Sequence, residues 1–171
     1  MASSEEQGIL PLPRFDTAPR VALVVAPYYR AIADDLIAGA RGVLEEVGAQ
    51  VDIIEVPGAL EIPTAIRLAH RSGQFDGHVA LGCIVRGETT HYDTVCNDSS
   101  RGLTLLGLDG IAIGNGILTV ENMDQAEARA NPSDMNKGGG AAAACLHLIA
   151  LARRFGGTVM AGEAIDPKDR A

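Results

Sequence analysis

The stretch from Gly77 to Asp98, GHVALGCIVRGETTHYDTVCND, constrains the fold of this chain more than any other. Val79 to Val85 is a nearly unbroken apolar run, the pattern of a parallel strand buried on both faces. A polar turn follows, Arg86-Gly87-Glu88-Thr89-Thr90-His91, and then Tyr92, Val95, Cys96, Leu103 and Leu106 recur at helical spacing. A buried strand that passes through a short polar turn into a helix is the unit of an open parallel α/β sheet. Such sheets bind ligands beyond the carboxyl ends of their strands. The first N–H groups of a helix lack partners and carry partial positive charge, so this turn can hold an anion. Gly87 leaves room for a phosphate close to the backbone, Thr89 and Thr90 offer hydroxyls, and His91 brings an imidazole, the side chain most often used to move protons. The stretch reads as an anion cradle with a proton-transfer residue on its rim. The plainer alternative is a strand–helix turn with a solvated histidine.

The rest of the chain repeats the alternation. Arg20 to Ala26 predicts a first strand that stops at Pro27, with Tyr28 and Tyr29 at its carboxyl end. Ile32, Leu36, Ala40, Val43 and Val47 mark one face of a helix that Gly48 ends. Gln50 to Val56 predicts a second strand, followed by the loop Pro57 to Pro63 and a helix carrying Ile62, Ala65, Ile66 and Ala69. Glu61 either caps that helix or accepts hydrogen bonds from ligand hydroxyls. Gly110 to Leu118 predicts a fourth strand ending in a glycine-rich turn; Gly114-Asn115-Gly116 is only part of a dinucleotide fingerprint, and no nucleotide site is expected there. A short helix, Met123 to Ala130, carries Arg129. After the break at Asn131-Pro132-Ser133, a last helix opens at Asn136-Lys137-Gly138 with Cys145, Leu148, Ile149 and Ala152 on one face. Right-handed crossovers then predict a three-layer α/β/α sandwich around a four-stranded parallel sheet. One domain over 20–157 is expected, between a flexible N-terminal tail, 1–19, and a C-terminal tail, 158–171. Leu12 and Phe15 are the residues able to pin the first tail to another surface.

Charge narrows the function. Fourteen Lys and Arg against 22 Asp and Glu leave a net charge of −8, so no basic face exists for nonspecific binding to nucleic acid or an anionic membrane. An anionic substrate must be held by a few placed cations and backbone donors. Cys83, Cys96 and Cys145 lie in apolar periodic segments without a CxxC pair, as reduced core residues of a cytoplasmic protein would. His70, His78, His91 and His147 show no paired-ligand spacing, so no metal site is expected. The N-terminal stretch has no hydrophobic signal core, and no apolar run is long enough to span a membrane.

Four stretches now occur together in one order: VPGALEIP (56–63), LGCIVRGETTHYD (81–93), GILTVEN (116–122) with QAEARA (125–130), and NKG (136–138). Together they resemble the lumazine synthase family, over nearly everything between Arg20 and Gly156. The resemblance implies a flavodoxin-like fold and the condensation of a ribitylaminouracil with dihydroxybutanone phosphate in riboflavin biosynthesis, with neither metal nor organic cofactor. It implies that Gly87, Glu88 and Thr89 form a phosphate loop and that His91 transfers protons. Tyr28 falls where the family stacks an aromatic on the pyrimidine. Ala59, Leu60 and Glu61 fall where it holds the ribityl chain, and Ile84 and Val85 fall where backbone groups meet the uracil. Arg129 and Lys137 match residues supplied by an adjacent subunit, which implies a homo-oligomer, a pentamer at minimum.

The chain departs from the family pattern. Leu60 stands where Phe is common, and Asn115 stands where many members present an aromatic from the neighbouring subunit. Gly140 replaces a larger residue, and Pro27 and Tyr29 replace an Arg and an Asn beside the aromatic. Loss of an aromatic platform removes about 1 kcal/mol of stacking, so weaker substrate binding is expected. A noncatalytic flavin or lumazine binder, or a shell-forming protein on the same fold, is the alternative; it would not need His91, Arg129 and the phosphate loop. A receiver-type signalling domain is excluded, because the first strand ends Ala26-Pro27-Tyr28 and the third ends Val85-Arg86, without the acidic residues that function requires.

Overall fold

The computed structural model describes residues 9–156. In chain order its elements are β1 (Arg20–Val25), α1 (Arg30–Glu46), β2 (Gln50–Glu55), a 3-10 turn (Ala59–Glu61), α2 (Ile62–Arg71), β3 (Gly77–Val85), α3 (His91–Leu108), β4 (Ile113–Val120), α4 (Met123–Ala130) and α5 (Lys137–Phe155). All strand pairs are parallel, in the order β2-β1-β3-β4. This is the expected four-stranded α/β/α sandwich.

Alternation along β1 explains the two helical layers. Val21, Leu23 and Val25 face a core built with Ile32, Leu36 and Leu44 of α1 and Cys145, Leu146 and Ile149 of α5. Ala22 and Val24 face the other way, onto Ile62 and Ile66 of α2 and Leu103 and Leu106 of α3. β3, buried from Gly77 through Ile84, lies at the centre of both. The helices thus change sides between β1, which leads into α1, and β3, which leads into α3. That reversal leaves a crevice at the carboxyl ends of β1 and β3, the place where open α/β sheets take ligands.

Two expectations are corrected. The fourth strand does not end at a glycine-rich turn: it runs Ile113–Val120 with Gly114 and Gly116 inside it. These glycines serve helix packing, because a Cβ at Gly114 would overlap the carbonyl oxygen of Ala141, and one at Gly116 would lie 2.8 Å from Leu81 Cδ2 and 3.0 Å from Ala141 Cβ. The last helix buries Ala141, Ala142, Cys145, Leu146 and Ile149, whereas Leu148 and Ala152 are exposed. Small residues let its first turns sit directly on β4, and that contact rotates the seam away from Leu148. Asn136 opens the helix with φ 44° and accepts a hydrogen bond from the Gly139 N–H at 3.1 Å.

Ahead of β1, Leu12 and Phe15 are partly buried against the α1/α5 side, and the Arg153 guanidinium lies 5.2 Å from the Phe15 ring centroid. Residues 1–8 of the expected first tail, and 157–171 at the other end, lie outside the described residues. Among the described residues, no helix is long and apolar enough to cross a membrane.

Candidate active site

Three loops at the carboxyl ends of β1, β2 and β3 enclose a cavity of about 390 Å³. The first follows β1. Pro27 withdraws the chain from the sheet, and Tyr28 and Tyr29 then take different environments. Tyr28 is 73% exposed at the mouth, while Tyr29 is half-buried and packs on the α1 side of the core. Their rings meet edge to face, with centroids 5.0 Å apart.

The second loop follows β2 and contributes Gly58, Ala59, Leu60 and Glu61. Glu61 stands at the N-cap of α2, but its side chain makes no capping bond. The capping role is therefore not the one the carboxylate performs. It lies instead beside Gly58, where a Cβ would come within 3.0 Å of Glu61 Oε2. Its oxygens remain available as hydrogen-bond acceptors on the cavity wall.

The third wall is the end of β3 and the turn beyond it. Cys83, Ile84 and Val85 line the cavity, followed by Gly87, Thr89 and His91, with Tyr92 and Val95 from the first turns of α3. His91 is the first residue of α3, and its backbone N–H donates to Thr89 Oγ1 at 3.4 Å. A Cβ at Gly87 would meet nothing within 4 Å, so the turn is open on the side where an anion would sit. Helix direction places the free N–H groups of α3 at the same end.

The electrostatics are distinctive. Burial pushes the Cys83 thiol up to about 11, so at neutral pH it is a protonated group and not a thiolate nucleophile. The Tyr29 phenol is held above its ordinary value, first by burial and then by Tyr28 and Cys83. Among the described residues, neither Lys nor Arg lines the cavity, so an anion bound there would have backbone dipoles, hydroxyls and His91 beside it. Among the described residues, no group of three or more His, Cys, Asp or Glu side chains is placed to hold a metal ion.

The cavity thus brings together Tyr28, Ala59, Leu60, Glu61, Ile84, Val85, Gly87, Thr89 and His91. Glu88 is exposed in the same turn but does not line the cavity. Asn115 faces a separate cleft between β4 and α3, with Cys96, Asn97, Ser99 and Ser100. Cys96 is half-buried there and packs against the α2/α3 core from its edge. Arg129, half-buried on α4, donates to the carbonyl of its own Gln125 at 3.1 Å. Lys137 begins α5. None of these last four residues, Glu88 included with Asn115, Arg129 and Lys137, contributes to the cavity within one chain. Sequence reasoning passed over Ala26, Gly58, Cys83, Tyr92 and Val95 as lining residues. Their signal was position alone, since each lies beside a strand end or in the first turns of the following helix.

Fold and site define a class: a flavodoxin-like α/β protein with an aromatic, a carboxylate and an anion-ready helix start converging at the sheet's switch point. The family model for 6,7-dimethyl-8-ribityllumazine synthase matches residues 18–153. The chain is 59% identical over 147 residues to the 6,7-dimethyl-8-ribityllumazine synthase of Jannaschia sp. (strain CCS1), covering 86% of this chain and 83% of the relative. Proteins of the same name from Novosphingobium aromaticivorans and Erythrobacter litoralis are 53% and 50% identical over 133 and 137 residues, or 78% and 80% of this chain and 96% and 98% of those relatives. The chain belongs to the 6,7-dimethyl-8-ribityllumazine synthase family.

Proposed function

We propose that this transferase condenses 5-amino-6-(D-ribitylamino)uracil with 3,4-dihydroxy-2-butanone 4-phosphate, giving 6,7-dimethyl-8-ribityllumazine, inorganic phosphate and water, in riboflavin biosynthesis. The observation that carries this reading is the single cavity that joins Tyr28 and Glu61 to the open turn Gly87–Thr89 and to His91. The pyrimidine stacks on Tyr28, with Ile84 and Val85 along its edge. The ribityl hydroxyls donate to Glu61, beside Ala59 and Leu60. The phosphate lies at Gly87 and Thr89, where the N-terminal N–H groups of α3 favour an anion, and Glu88 shapes the same turn.

His91 sits between the two substrates. The uracil amine adds to the ketone, and loss of water from the carbinolamine leaves an imine. Loss of a neighbouring proton then expels phosphate, and the ribitylamino nitrogen closes the ring with loss of a second water. Each step moves a proton near the turn, the work of a general acid–base, and His91 is the imidazole on that wall of the cavity. Holding both substrates in one cavity supplies the rest of the acceleration.

The site is shared between copies. Among the described residues the cavity has no lining Lys or Arg, and Arg129 and Lys137 lie outside it. Arg129, Lys137 and Asn115 therefore act on the cavity of the adjacent subunit, in a ring that is a pentamer at minimum. Leu105 and Leu108 of α3, 58% and 82% exposed, flank a groove with Pro63 and Arg67 that suits burial against a second copy. The free thiols among the described residues suit the cytoplasm. The noncatalytic alternative is disfavoured, since relatives covering most of the chain bear the enzyme's name. A turnover assay tests the reading. Lumazine absorbance and released phosphate should rise in equal amounts when both substrates are present, and a protein that binds riboflavin yet turns over neither substrate would overturn it.

A further inference from the structure

Arg86 separates two cavity-lining residues, Val85 and Gly87, but does not itself line the cavity. Its guanidinium meets three side chains, one just beyond β4 and two in the first turn of α3. Nε donates to Glu121 Oε2 at 2.6 Å, just beyond β4. Nη1 lies 3.7 Å from Asp93 Oδ1, in the first turn of α3. The guanidinium carbon is 4.2 Å from the centroid of the Tyr92 ring, beside His91. The backbone N–H of Arg86 also donates to the Val120 carbonyl at 3.0 Å.

One residue therefore fixes both ends of the segment Gly87–His91. Its backbone holds the entry to β4, and its side chain holds the exit through Tyr92 and Asp93. The segment between is exposed, and among the described residues its one side-chain bond is the long contact from the His91 N–H to Thr89 Oγ1. Exposed ion pairs contribute little to stability, so a large stabilising role is not the expectation for side chains that are 44–57% exposed. Geometry is another matter, because a planar guanidinium that is stacked and paired at once restricts orientation more than it adds energy. Two carboxylates face Arg86, which leaves it poorly placed to serve as the missing cation for a bound phosphate.

We infer that Arg86 is a positioning residue: the clamp it forms with Glu121, Asp93 and Tyr92 holds the Gly87–Thr89 turn and His91 in register with the end of β4. The inference rests on the proposed role of that turn as the phosphate site. Misplacement of a reacting group by about 1 Å costs on the order of a hundredfold in rate.

Arg86→Met keeps much of the stem over Tyr92 and removes both ion pairs. Steady-state kinetics should show turnover at least tenfold lower and a raised KM for the butanone phosphate. The KM for the uracil and the melting temperature should stay close to wild type. Glu121→Gln should move the same parameters in the same direction. The double variant should be no worse than Arg86→Met, because the two residues act as one unit. Arg86→Lys, which restores charge without the fork, should recover only part of the turnover. Three results would overturn the clamp. Glu121→Gln could lower the KM for the phosphate substrate, which makes Arg86 a direct anion ligand. Turnover could stay at wild type while the melting temperature falls, which makes the role structural. The double variant could lose the sum of both effects. A separate arm isolates the underlying reading: if Thr89→Val leaves the KM for the butanone phosphate unchanged, the turn is not the phosphate site, whatever Arg86 does.

Discussion

Tyr28 and Tyr29 meet edge to face with ring centroids 5.0 Å apart and planes inclined by 70°, and only Tyr29 is tied into the core. The half-buried ring thereby orients the exposed one at the cavity mouth. On the proposed function, Tyr28 would be the main stacking surface for the pyrimidine, because it is the exposed aromatic at the cavity mouth while Leu60 offers no ring and Asn115 faces a separate cleft. Tyr28→Ala should weaken riboflavin binding by about 1 kcal/mol, roughly fivefold. Fluorescence titration reads this directly; unchanged affinity in a folded variant would assign Tyr28 to local packing.

His91→Ala should lower turnover by about a hundredfold or more, the usual contribution of a general acid–base. Some activity should remain, because substrate proximity is kept. Affinity for the product lumazine should change little. Turnover equal to wild type would remove His91 from the mechanism.

Gly114→Ala should destabilise the fold by about 1–3 kcal/mol, because its methyl group would overlap backbone of α5 and has no flexible neighbour to displace. Gly42→Ala, on the exposed side of α1 with nothing within 4 Å, should stabilise by about 0.5–1 kcal/mol through helix propensity. Denaturant midpoints for the two variants should therefore move in opposite directions.

His78 makes acid stability a test of the core. Its ring is fully buried on β3 beneath α2, near His70 and Phe75, and neither ring nitrogen has a hydrogen-bond partner among the described residues. Burial first, and then His70, pushes its pKa down to about 4. A histidine whose folded pKa lies below the unfolded value contributes stability that is fully present above about pH 6.5 and is lost as pH falls towards 4, because the unfolded chain takes up the proton first. The loss across that window is about 3 kcal/mol. His78→Leu should flatten stability between pH 6.5 and 4, as read by urea midpoints at each pH. An unchanged slope would place the acid sensitivity elsewhere.

The order of elements was legible in the sequence because the strand patterns are local. β3 shows its burial on both faces as an unbroken apolar run, and Pro27 and Gly48 mark where neighbouring elements stop. The full length of the fourth strand is not legible locally, because Gly114 and Gly116 look like turn residues in isolation. What places them in a strand is Ala141, about 25 positions away, pressed onto their backbone. The same contact turned Leu148 outward. At the site, strand ends revealed Tyr28, Glu61 and His91. The Arg86 clamp was invisible, since its partner Glu121 comes from a segment 35 positions later. Arg129 and Lys137 were legible only by resemblance, and the fold of one chain leaves both outside the cavity.

On the proposed function, a working site needs residues from two copies. This is tested by co-refolding His91→Ala chains with Arg129→Ala chains, each first shown to be nearly inactive alone, and confirming mixed rings by native mass spectrometry. In a closed ring every interface is equivalent, so random mixing should pair an intact His91 with an intact Arg129 at roughly a quarter of the sites. The account predicts turnover near a quarter of wild type, far above the mean of the two parents. Mixed rings that never exceed that mean would show that His91 and Arg129 act within one chain, and would contradict it.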